Sequence, residues 1–551
     1  MRLKKWLAIP TVFVVVISLF SFSEPGKRYF EIAKNMEVFS SVYSEVNKYY
    51  VDEIDPNEMM QKGIEAMLES LDPYTTYISE DKIEDFRFMH TGQYGGIGAM
   101  IGTRNNKVTV LMPYEGFPAF KAGLKIGDEL VEISGQNVVG KNTNDISKLL
   151  KGQANTSVTA KVKRYGQTEL LDVELIRQKI TVKSVPYSGI IDGDVGYIVL
   201  TSFTQSASSE ITTALKELKQ QGATRFILDL RGNPGGLLKE AILICNLFIE
   251  RGKEVVSTRG KIERWNQTHN APNDPFDLNS RLAILVNGSS ASASEIVSGV
   301  IQDYDRGVLI GSKTYGKGLV QATFPTAYNS QVKVTTAKYY IPSGRCIQKL
   351  DYSHKNKDGE AEAIPDSLLT PYQTSKGRTV LDGEGVTPDI HIEVKDASEV
   401  LIALTRKNII FDFGTMYYYE KDSITSIDDF VVTDALYNEF VAFTVKQGFD
   451  YESYSEQKVA SFKTDFESDS LDVDITAEIL EIQKKLDASK ENDLIKYKKE
   501  IKRELKVELA SRYYLKKGVI RATILDNEEV DAALSVLKNT SRYNQILKIE
   551  E

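Results

Sequence analysis

The segment Arg281-Leu-Ala-Ile-Leu-Val-Asn-Gly-Ser-Ser-Ala-Ser-Ala-Ser-Glu-Ile296 decides the fold of the central part of the chain, because its pattern changes halfway along. Residues 282–286 form a short apolar run of the kind found in buried strands. From Ala293 onward, apolar side chains recur at helical spacing. The segment therefore predicts a strand, a turn rich in serine, and a helix that begins at about Ala291–Ala293.

The alternation of strand and helix extends on both sides of this segment, from Gly196 to about Val394. Strands are predicted at Gly196–Leu200, Arg225–Leu230, Leu282–Asn287 and Val308–Gly311. Helices are predicted at Ser206–Gln220, Leu237–Phe248 and Ala291–Tyr304. Strands that alternate with helices are typical of an α/β sheet covered by helices.

The flanking sequence divides into segments with other patterns. Residues 27–91 are predicted to be helical, residues 92–180 contain short strands and one helix, and residues 396–551 form a Lys/Glu-rich helical region. With a core over residues 181–395, the predicted fold class is multidomain α/β (α+β). It combines this core with an N-terminal helical segment, an inserted β module and a C-terminal helical extension. Whether the C-terminal helices pack on the core or on a second subunit stays open.

Residues 1–23 have the pattern of an export signal or an N-terminal anchor. A basic run, Met1–Lys5, precedes the mostly apolar run Trp6–Phe22. We therefore expect an exported protein of the periplasm or cell envelope. The segment is either cleaved near Ser23 or retained as a membrane anchor.

The composition of the 551-residue chain excludes several functional classes. With 68 Lys and Arg against 77 Asp and Glu, the formal net charge is −9, which argues against a nucleic-acid partner. Two cysteines, Cys245 and Cys346, exclude a disulfide scaffold and a thiolate zinc cluster. The four histidines include no metal-type pair. We therefore expect no metal and no cofactor, while the redox state of the two cysteines stays open.

Three short segments of the core carry residues suited to catalysis. Ser292 lies at the first turn of the predicted helix, where backbone N–H groups favour a developing anion, although Ser is also a preferred helix cap. Lys317 lies between Gly316 and Gly318. A partly desolvated lysine there would have the lowered pKa of a general base, but a surface lysine in a glycine turn has the same local sequence. The turn in Asp229–Gly236 can point N–H groups at an oxyanion, or simply join a strand to a helix.

Together these segments resemble the motifs of the C-terminal processing peptidases (tail-specific proteases), which are serine peptidases with a Ser/Lys dyad. Ser-Ala-Ser-Ala-Ser-Glu-Ile is similar to the nucleophile motif of the family, whose middle serine is Ser292 here. Thr-Tyr-Gly-Lys-Gly-Leu-Val-Gln is similar to the base motif and contains Lys317. Asp-Leu-Arg-Gly-Asn-Pro-Gly-Gly looks like the oxyanion turn. The resemblance runs from about residue 30 to residue 395.

The resemblance implies a role for each side chain of the dyad. Ser292 would attack the scissile carbonyl, and neutral Lys317 would take its proton and later return it to the leaving amine. Gln321, four residues further on, would orient Lys317.

The resemblance also implies an oxyanion site made by the backbone N–H groups of Ala293 and Gly236, with Gly235 as second choice for the latter. Asp303 matches an acidic position of the family. On the same helix, however, it would lie roughly 16 Å from Ser292 at the rise of an α-helix, so we expect a structural role.

A second resemblance lies in residues 92–180. Tyr94-Gly-Gly-Ile-Gly98 and Gly116-Phe-Pro-Ala-Phe-Lys-Ala-Gly-Leu-Lys-Ile-Gly-Asp-Glu-Leu130 resemble a PDZ domain. A Gly-rich loop leaves N–H groups free for a peptide carboxylate, and an exposed strand edge pairs with the peptide behind it. The resemblance implies that protein or peptide substrates with apolar C-termini bind at Gly95, Gly96, Ile97 and Gly98.

These observations predict an exported serine endopeptidase that recognises protein C-termini through a PDZ domain and cleaves or degrades them with a Ser/Lys dyad. The alternative from another class is a non-catalytic envelope adaptor that binds C-terminal peptides. A Ser-His esterase is excluded because no Gly-x-Ser-x-Gly elbow surrounds Ser292. Homo-oligomerisation, an envelope adaptor protein as partner, and the physiological substrates stay open.

Overall fold

The computed structural model describes residues 24–357, 359–393, 395–469, 474–490 and 492–550. The chain divides into two compact units. One unit contains the described residues up to Tyr77 together with 323–326 and 331–334, and the other contains the remaining described residues. In the described ranges, no helix has the length and apolar character needed to cross a bilayer. The predicted export signal or anchor lies outside these ranges.

The smaller unit is built on two helices, α1 (Glu24–Tyr49) and α2 (Pro56–Glu69). The second begins sharply, because the carboxylate of Asp55 accepts hydrogen bonds from the first free N–H groups and a proline occupies the first turn. The hydroxyl of Tyr43 donates a 2.8 Å hydrogen bond to the carbonyl of Pro56, which joins the two helices. The helical prediction for this part of the sequence is confirmed.

Residues 76–181 contain a short strand, a helix and the β module. Their bounds are β1 (Thr76–Ile78), α3 (Ile83–Thr91), β2 (Gln93–Gly96), β3 (Ala99–Arg104), β4 (Lys107–Pro113), α4 (Pro118–Lys121), β5 (Glu129–Ile133), β6 (Gln136–Asn137), α5 (Thr143–Leu150), β7 (Ser157–Lys163), β8 (Leu171–Ile176) and β9 (Gln178–Thr181). The main sheet has the order β3-β4-β5-β7-β8, with β6 beside β5, while β2 pairs with β9. Strand β3 therefore lies at an edge of this sheet.

The core contains a second main sheet. The elements of residues 187–391 are β10 (Tyr187–Ile191), β11 (Val195–Val199), α6 (Ala207–Gln220), β12 (Arg225–Asp229), α7 (Leu238–Asn246), β13 (Glu254–Gly260), β14 (Gln267–Asn270), β15 (Arg281–Val286), α8 (Ala293–Asp303), β16 (Val308–Gly311), β17 (Leu319–Pro325), β18 (Gln331–Tyr340), β19 (Leu350–Lys355), β20 (Ala361–Ala363), β21 (Pro371–Gln373), β22 (Thr379–Leu381) and β23 (Ile390–His391). The six-stranded sheet has the order β10-β11-β12-β15-β16-β23. Strand β10 is antiparallel to β11, and all other neighbours are parallel. Separately, β13 pairs with β14 and with the last residues of β18.

Both faces of the six-stranded sheet are covered, as a parallel sheet requires. Helices α6, α7 and α8 pack on one face, where Ile198, Ile284 and Val297 are fully buried. Because carboxyl ends of parallel strands meet at one edge, the residues that follow β12, β15 and β16 lie side by side. The predicted α/β core is therefore confirmed, and its loops converge at that edge.

The C-terminal region is helical, as predicted. Its helices are α9 (Glu399–Arg406), α10 (Ile409–Glu420), α11 (Asp434–Lys446), α12 (Tyr454–Ser468), α13 (Thr476–Lys490), α14 (Asp493–Lys496), α15 (Lys498–Ile524), α16 (Glu528–Lys538) and α17 (Thr540–Leu547). Several of them form an apolar cluster of their own around Phe413 and Phe440. Helices α16 and α17 instead pack on the other face of the six-stranded core sheet, where Val536, Tyr197 and Ala283 belong to one apolar cluster. The final helices thus belong to the core of this same chain.

Candidate active site

The predicted nucleophile lies at the start of α8. Ser292 is the residue before the first helical turn and has a φ of 54° and a ψ of −111°, a combination that residues with a Cβ rarely adopt. Its carbonyl accepts a 3.2 Å hydrogen bond from the hydroxyl of the buried Tyr339. Its N–H donates a 2.8 Å hydrogen bond to Oε2 of Glu295. The serine is therefore held by its backbone from two sides.

The carboxylate of Glu295 joins the serine to the loop that follows β16. Oε2 accepts from the N–H of Ser292 at 2.8 Å and from the N–H of Lys317 at 2.9 Å. Oε1 accepts from the hydroxyl of Thr314 and from the N–H of Gly316, both at 2.6 Å. Burial raises the pKa of Glu295, and the hydrogen bonds that it accepts oppose this rise.

Two glycines allow the loop of Lys317 to pass close to its neighbours. Gly316 has a φ of +88°, and a Cβ there would lie 2.5 Å from the Cβ of Lys349. A Cβ on Gly318 would lie 2.8 Å from the backbone nitrogen of Gln348. Both positions therefore need glycine, since a side chain would collide with a neighbouring chain segment. Lys317 itself is half-buried.

The turn after β12 lies directly against the nucleophile segment. A Cβ on Gly235 would come within 2.9 Å of the Cβ of Ser292 and of the backbone nitrogen of Ala293. The carbonyl of Asn233 accepts hydrogen bonds from the N–H of Ala291 at 3.0 Å and from the hydroxyl of Ser294 at 2.9 Å. These bonds hold the turn and the first turn of α8 together.

Two backbone N–H groups at this junction are available for an anion. Among the residues that the structure describes, none accepts a hydrogen bond from the N–H of Gly236 or of Ala293. The N–H of Gly235, by contrast, donates a 2.9 Å hydrogen bond to Oδ1 of Asn233. Gly235 is therefore the poorer candidate of the two glycines, because its N–H already has an acceptor.

The structure also shows the surroundings of the other core residues named in the sequence analysis. Nε2 of Gln321 donates a 3.2 Å hydrogen bond to the hydroxyl of Thr335. Asp303, at the far end of α8, forms a 3.0 Å ion pair with Arg345, and both side chains are buried. Cys245 lies in the core, and both cysteines are free thiols. Over the described ranges, no group of three or more His, Cys, Asp or Glu side chains is placed to hold a metal ion.

The predicted peptide-binding loop lies between β2 and β3. Gly95 and Gly96 are the last residues of β2 and pair with β9, whereas Ile97 and Gly98 form the turn. The carbonyls of Ile97 and Gly98 accept hydrogen bonds from Ala119 and Tyr114, both 2.8 Å long. No acceptor for the N–H of Ile97 or Gly98 occurs in the described part of the chain. The turn therefore presents two N–H groups beside the edge strand β3.

Sequence models of three families match the chain. Peptidase family S41 matches residues 194–353, and a PDZ domain matches residues 109–164. A C-terminal helical domain described as that of a probable PDZ-protease matches residues 400–537. The matches do not test the bounds predicted from the sequence for the five segments of the chain, 1–23, 27–91, 92–180, 181–395 and 396–551, which stay predictions. The class of the protein follows from these matches and from the fold. It is a serine-type peptidase with a PDZ domain and a C-terminal helical region.

Two relatives found by sequence support this classification. A carboxy-terminal-processing protease of Bartonella bacilliformis is 36% identical over 319 residues, which cover 57% of this chain and 73% of the relative. A probable CtpA-like serine protease of Staphylococcus aureus strain N315 is 34% identical over 358 residues, covering 63% and 71%. The solved photosystem II D1 C-terminal processing protease is 26% identical, with a TM-score of 0.35, over 64% of this chain and 92% of that one. The chain belongs to the C-terminal processing peptidases, which confirms the resemblance of its motifs.

Sequence reasoning assigned no role to two residues that the structure places at the nucleophile. Glu295 follows Ser292 by three positions, which is the spacing of a capping box and could have drawn attention to it. Tyr339 is 47 residues further along the chain from Ser292 and has no local signal. Its partnership with the serine depends on the tertiary fold.

Proposed function

We propose that this serine-type peptidase of the C-terminal processing family works with a Ser292/Lys317 dyad. The observation that carries the proposal is the bridge through Glu295, whose Oε2 accepts from the backbone N–H of both residues. Residues 25 positions apart in the chain are thereby held by one oxygen atom. This arrangement supports a nucleophile and a base that share one site.

The proposed reaction is an acyl transfer. The hydroxyl of Ser292 attacks the scissile carbonyl while the neutral amine of Lys317 takes the hydroxyl proton, and the same lysine then protonates the leaving amine. The side-chain oxygen of Gln321 orients the lysine. The amide nitrogen of Gln321 donates to the hydroxyl of Thr335, which leaves the oxygen to accept from the lysine. Water hydrolyses the acyl-enzyme in a second step that uses the same groups.

The proposed oxyanion site consists of the N–H groups of Gly236 and Ala293. Both lack an acceptor among the described residues, and the glycine turn packs directly on the serine segment. Donors held in place before the reaction need no reorganisation when the negative charge develops. Loss of one such donor typically raises the barrier by about 2.7–4 kcal/mol.

The PDZ domain is proposed to capture the C-terminus of the protein or peptide substrate. The N–H groups of Ile97 and Gly98 bind the terminal carboxylate, next to Gly95 and Gly96, and the peptide extends β3 as an added strand. Apolar C-terminal residues suit the site because Ile97 belongs to the apolar core of the domain. A peptide ending in an amide in place of a carboxylate should bind at least tenfold more weakly in a fluorescence polarisation titration.

The basic and apolar pattern of residues 1–23 supports export to the periplasm or cell envelope, with cleavage near Ser23 or retention as an anchor. Fractionation of cells and mass spectrometry of the N-terminus test this part of the proposal. Recovery in the cytoplasm with an intact N-terminus would contradict it.

The dyad is tested by mass spectrometry of an unfolded reporter with a free apolar C-terminus, incubated with the full chain, with Ser292→Ala and with Lys317→Ala. We expect cleavage by the parent alone. Equal cleavage by parent and Lys317→Ala would remove the lysine as base. Binding without cleavage by all three would favour the non-catalytic adaptor.

A further inference from the structure

Arg231 joins the turn beside the nucleophile to the C-terminal helices. Its Nε and Nη2 donate to the two carboxylate oxygens of Asp229, at 3.0 and 2.7 Å. Its Nη1 donates to Oδ1 of Asn527 at 3.0 Å and forms an ion pair with Glu529. Asn527 precedes α16 and Glu529 lies in its first turn. One guanidinium therefore connects chain segments that are almost 300 residues apart.

The connection is largely shielded from water. The side chains of Arg231, Asp229 and Glu529 are 14%, 9% and 15% exposed. The hydroxyl of Tyr197 donates to Asp229 at 2.5 Å and accepts from Arg231 at 3.1 Å. Burial by itself would lower the pKa of Arg231, but the carboxylates of Asp229 and Glu529 outweigh it and raise the pKa. The guanidinium stays charged, and such charge-assisted, bidentate contacts are both strong and directional.

Arg231 also belongs to the proposed oxyanion turn, Asp229–Gly236. Its own N–H donates a 2.9 Å hydrogen bond to Asp229, and the next N–H, of Gly232, donates a 3.0 Å hydrogen bond to Asn287. The turn continues through Asn233 to Gly236. The guanidinium is therefore carried by the segment that ends at the proposed oxyanion donor.

We propose that Arg231 and Glu529 are a pair of positioning residues, through which the C-terminal helix α16 holds the oxyanion turn in place. The inference deepens the proposed function and rests on it where activity is concerned. It gives the C-terminal helical region a part in catalysis, because this region supplies the carboxylate that secures Arg231. Neither residue touches the substrate; both act through the backbone of residues 231–236.

The first test measures the turn without relying on activity. Hydrogen–deuterium exchange of the full chain carrying Ser292→Ala, which prevents self-cleavage, is compared with and without Glu529→Ala. We expect backbone amides of residues 231–237 to exchange at least fivefold faster in the double variant. Glu528→Ala is the matched control, since Glu528 lies on the same helical turn, is 70% exposed and reaches Lys395 only at 3.8 Å. Unchanged exchange in the turn, or faster exchange spread evenly over the chain, overturns the inference.

The second test measures catalysis with Ser292 intact. For Glu529→Ala we expect kcat on the reporter peptide to fall about tenfold with KM within twofold of the parent. This is part of the 10²–10³-fold loss that follows removal of a whole oxyanion donor. Glu529→Asp should recover part of kcat, and Glu528→Ala should match the parent. A change in KM alone, or an unchanged kcat, overturns the inference. If the parent itself fails to cleave, the proposed function fails, and the exchange experiment alone decides the role of the pair.

Discussion

The bridge through Glu295 makes a sharp prediction for the variant Glu295→Gln. The carboxylate accepts four hydrogen bonds, from Ser292, Lys317, Gly316 and Thr314. A glutamine has the same shape but only one acceptor oxygen. If this oxygen keeps the N–H groups of Ser292 and Lys317, its NH₂ group faces the hydroxyl of Thr314, which can accept, and the N–H of Gly316, which cannot.

The expected loss of stability follows from these contacts. A hydrogen bond to an ionised group contributes about 1.5–3 kcal/mol and a neutral one about 0.5–1.5 kcal/mol. The bonds from Ser292 and Lys317 change from the first kind to the second, which costs about 2 kcal/mol in total. The unpaired N–H of Gly316 costs about 1–3 kcal/mol more. Burial raises the pKa of Glu295 because it disfavours the charged carboxylate. Replacement by the neutral glutamine removes this unfavourable burial of charge and so offsets part of the loss. We expect the free energy of unfolding to fall by about 2–3 kcal/mol, which leaves a typical domain folded.

The effect on activity should be larger than the effect on stability. A displacement of about 1 Å in a reacting group can cost about 10²-fold in rate, so we expect kcat to fall by about 10–100-fold. Urea unfolding and reporter cleavage measure the two quantities. The control is Glu250→Gln, which neutralises a 64% exposed carboxylate in a 3.8 Å surface pair. If Glu295→Gln keeps kcat within twofold of the parent, the carboxylate does not position the dyad, whatever its effect on stability.

Three further variants test local features of the fold. Gly235→Ala places a Cβ at a φ of +100°, 2.7 Å from the carbonyl oxygen of Ala291, and should lower kcat at least tenfold. Gly222→Ala, at a φ of +98° with nothing within 4 Å, should cost only backbone strain of about 1–2 kcal/mol and leave kcat unchanged. Equal kcat values for the two glycine variants would contradict the packing of the turn against the serine. For Asp277, burial tends to raise the pKa, but hydrogen bonds from Lys219 and Ser280 lower it to about 2. The stability that this carboxylate contributes is present above its ordinary pKa and is lost as the pH falls toward 2. The difference between parent and Asp277→Asn in urea unfolding should therefore be largest at pH 7 and shrink toward pH 3, and a constant difference would argue against an ionised, paired Asp277.

Local sequence predicted the four central strands of the six-stranded core sheet and the helices between them, but not strands β13, β14 and β17–β22. Strand β16 was predicted as Val308–Gly311 and is found with these bounds, and the helix expected from Ala291–Ala293 begins at Ala293. Such elements can be read from sequence because apolar spacing reflects the geometry of one helix or strand and its nearest side chains. The outer strands β10 and β23 were not predicted. Strand β23 is only two residues long, too short for a periodic pattern.

The sequence by itself determined which motifs are present: a serine at a helix start, a lysine between glycines, a Gly-Gly turn and a glycine-rich loop in a β module. Tertiary structure alone decided how they meet. Parallel pairing of β12 with β15 and of β15 with β16 brings three loops to one edge, and only there does Glu295 reach the base loop. The contact of Glu529 with Arg231 depends likewise on helix α16 packing on the far face of the sheet. Contacts of this kind follow from strand order and layer packing, which no local periodicity encodes.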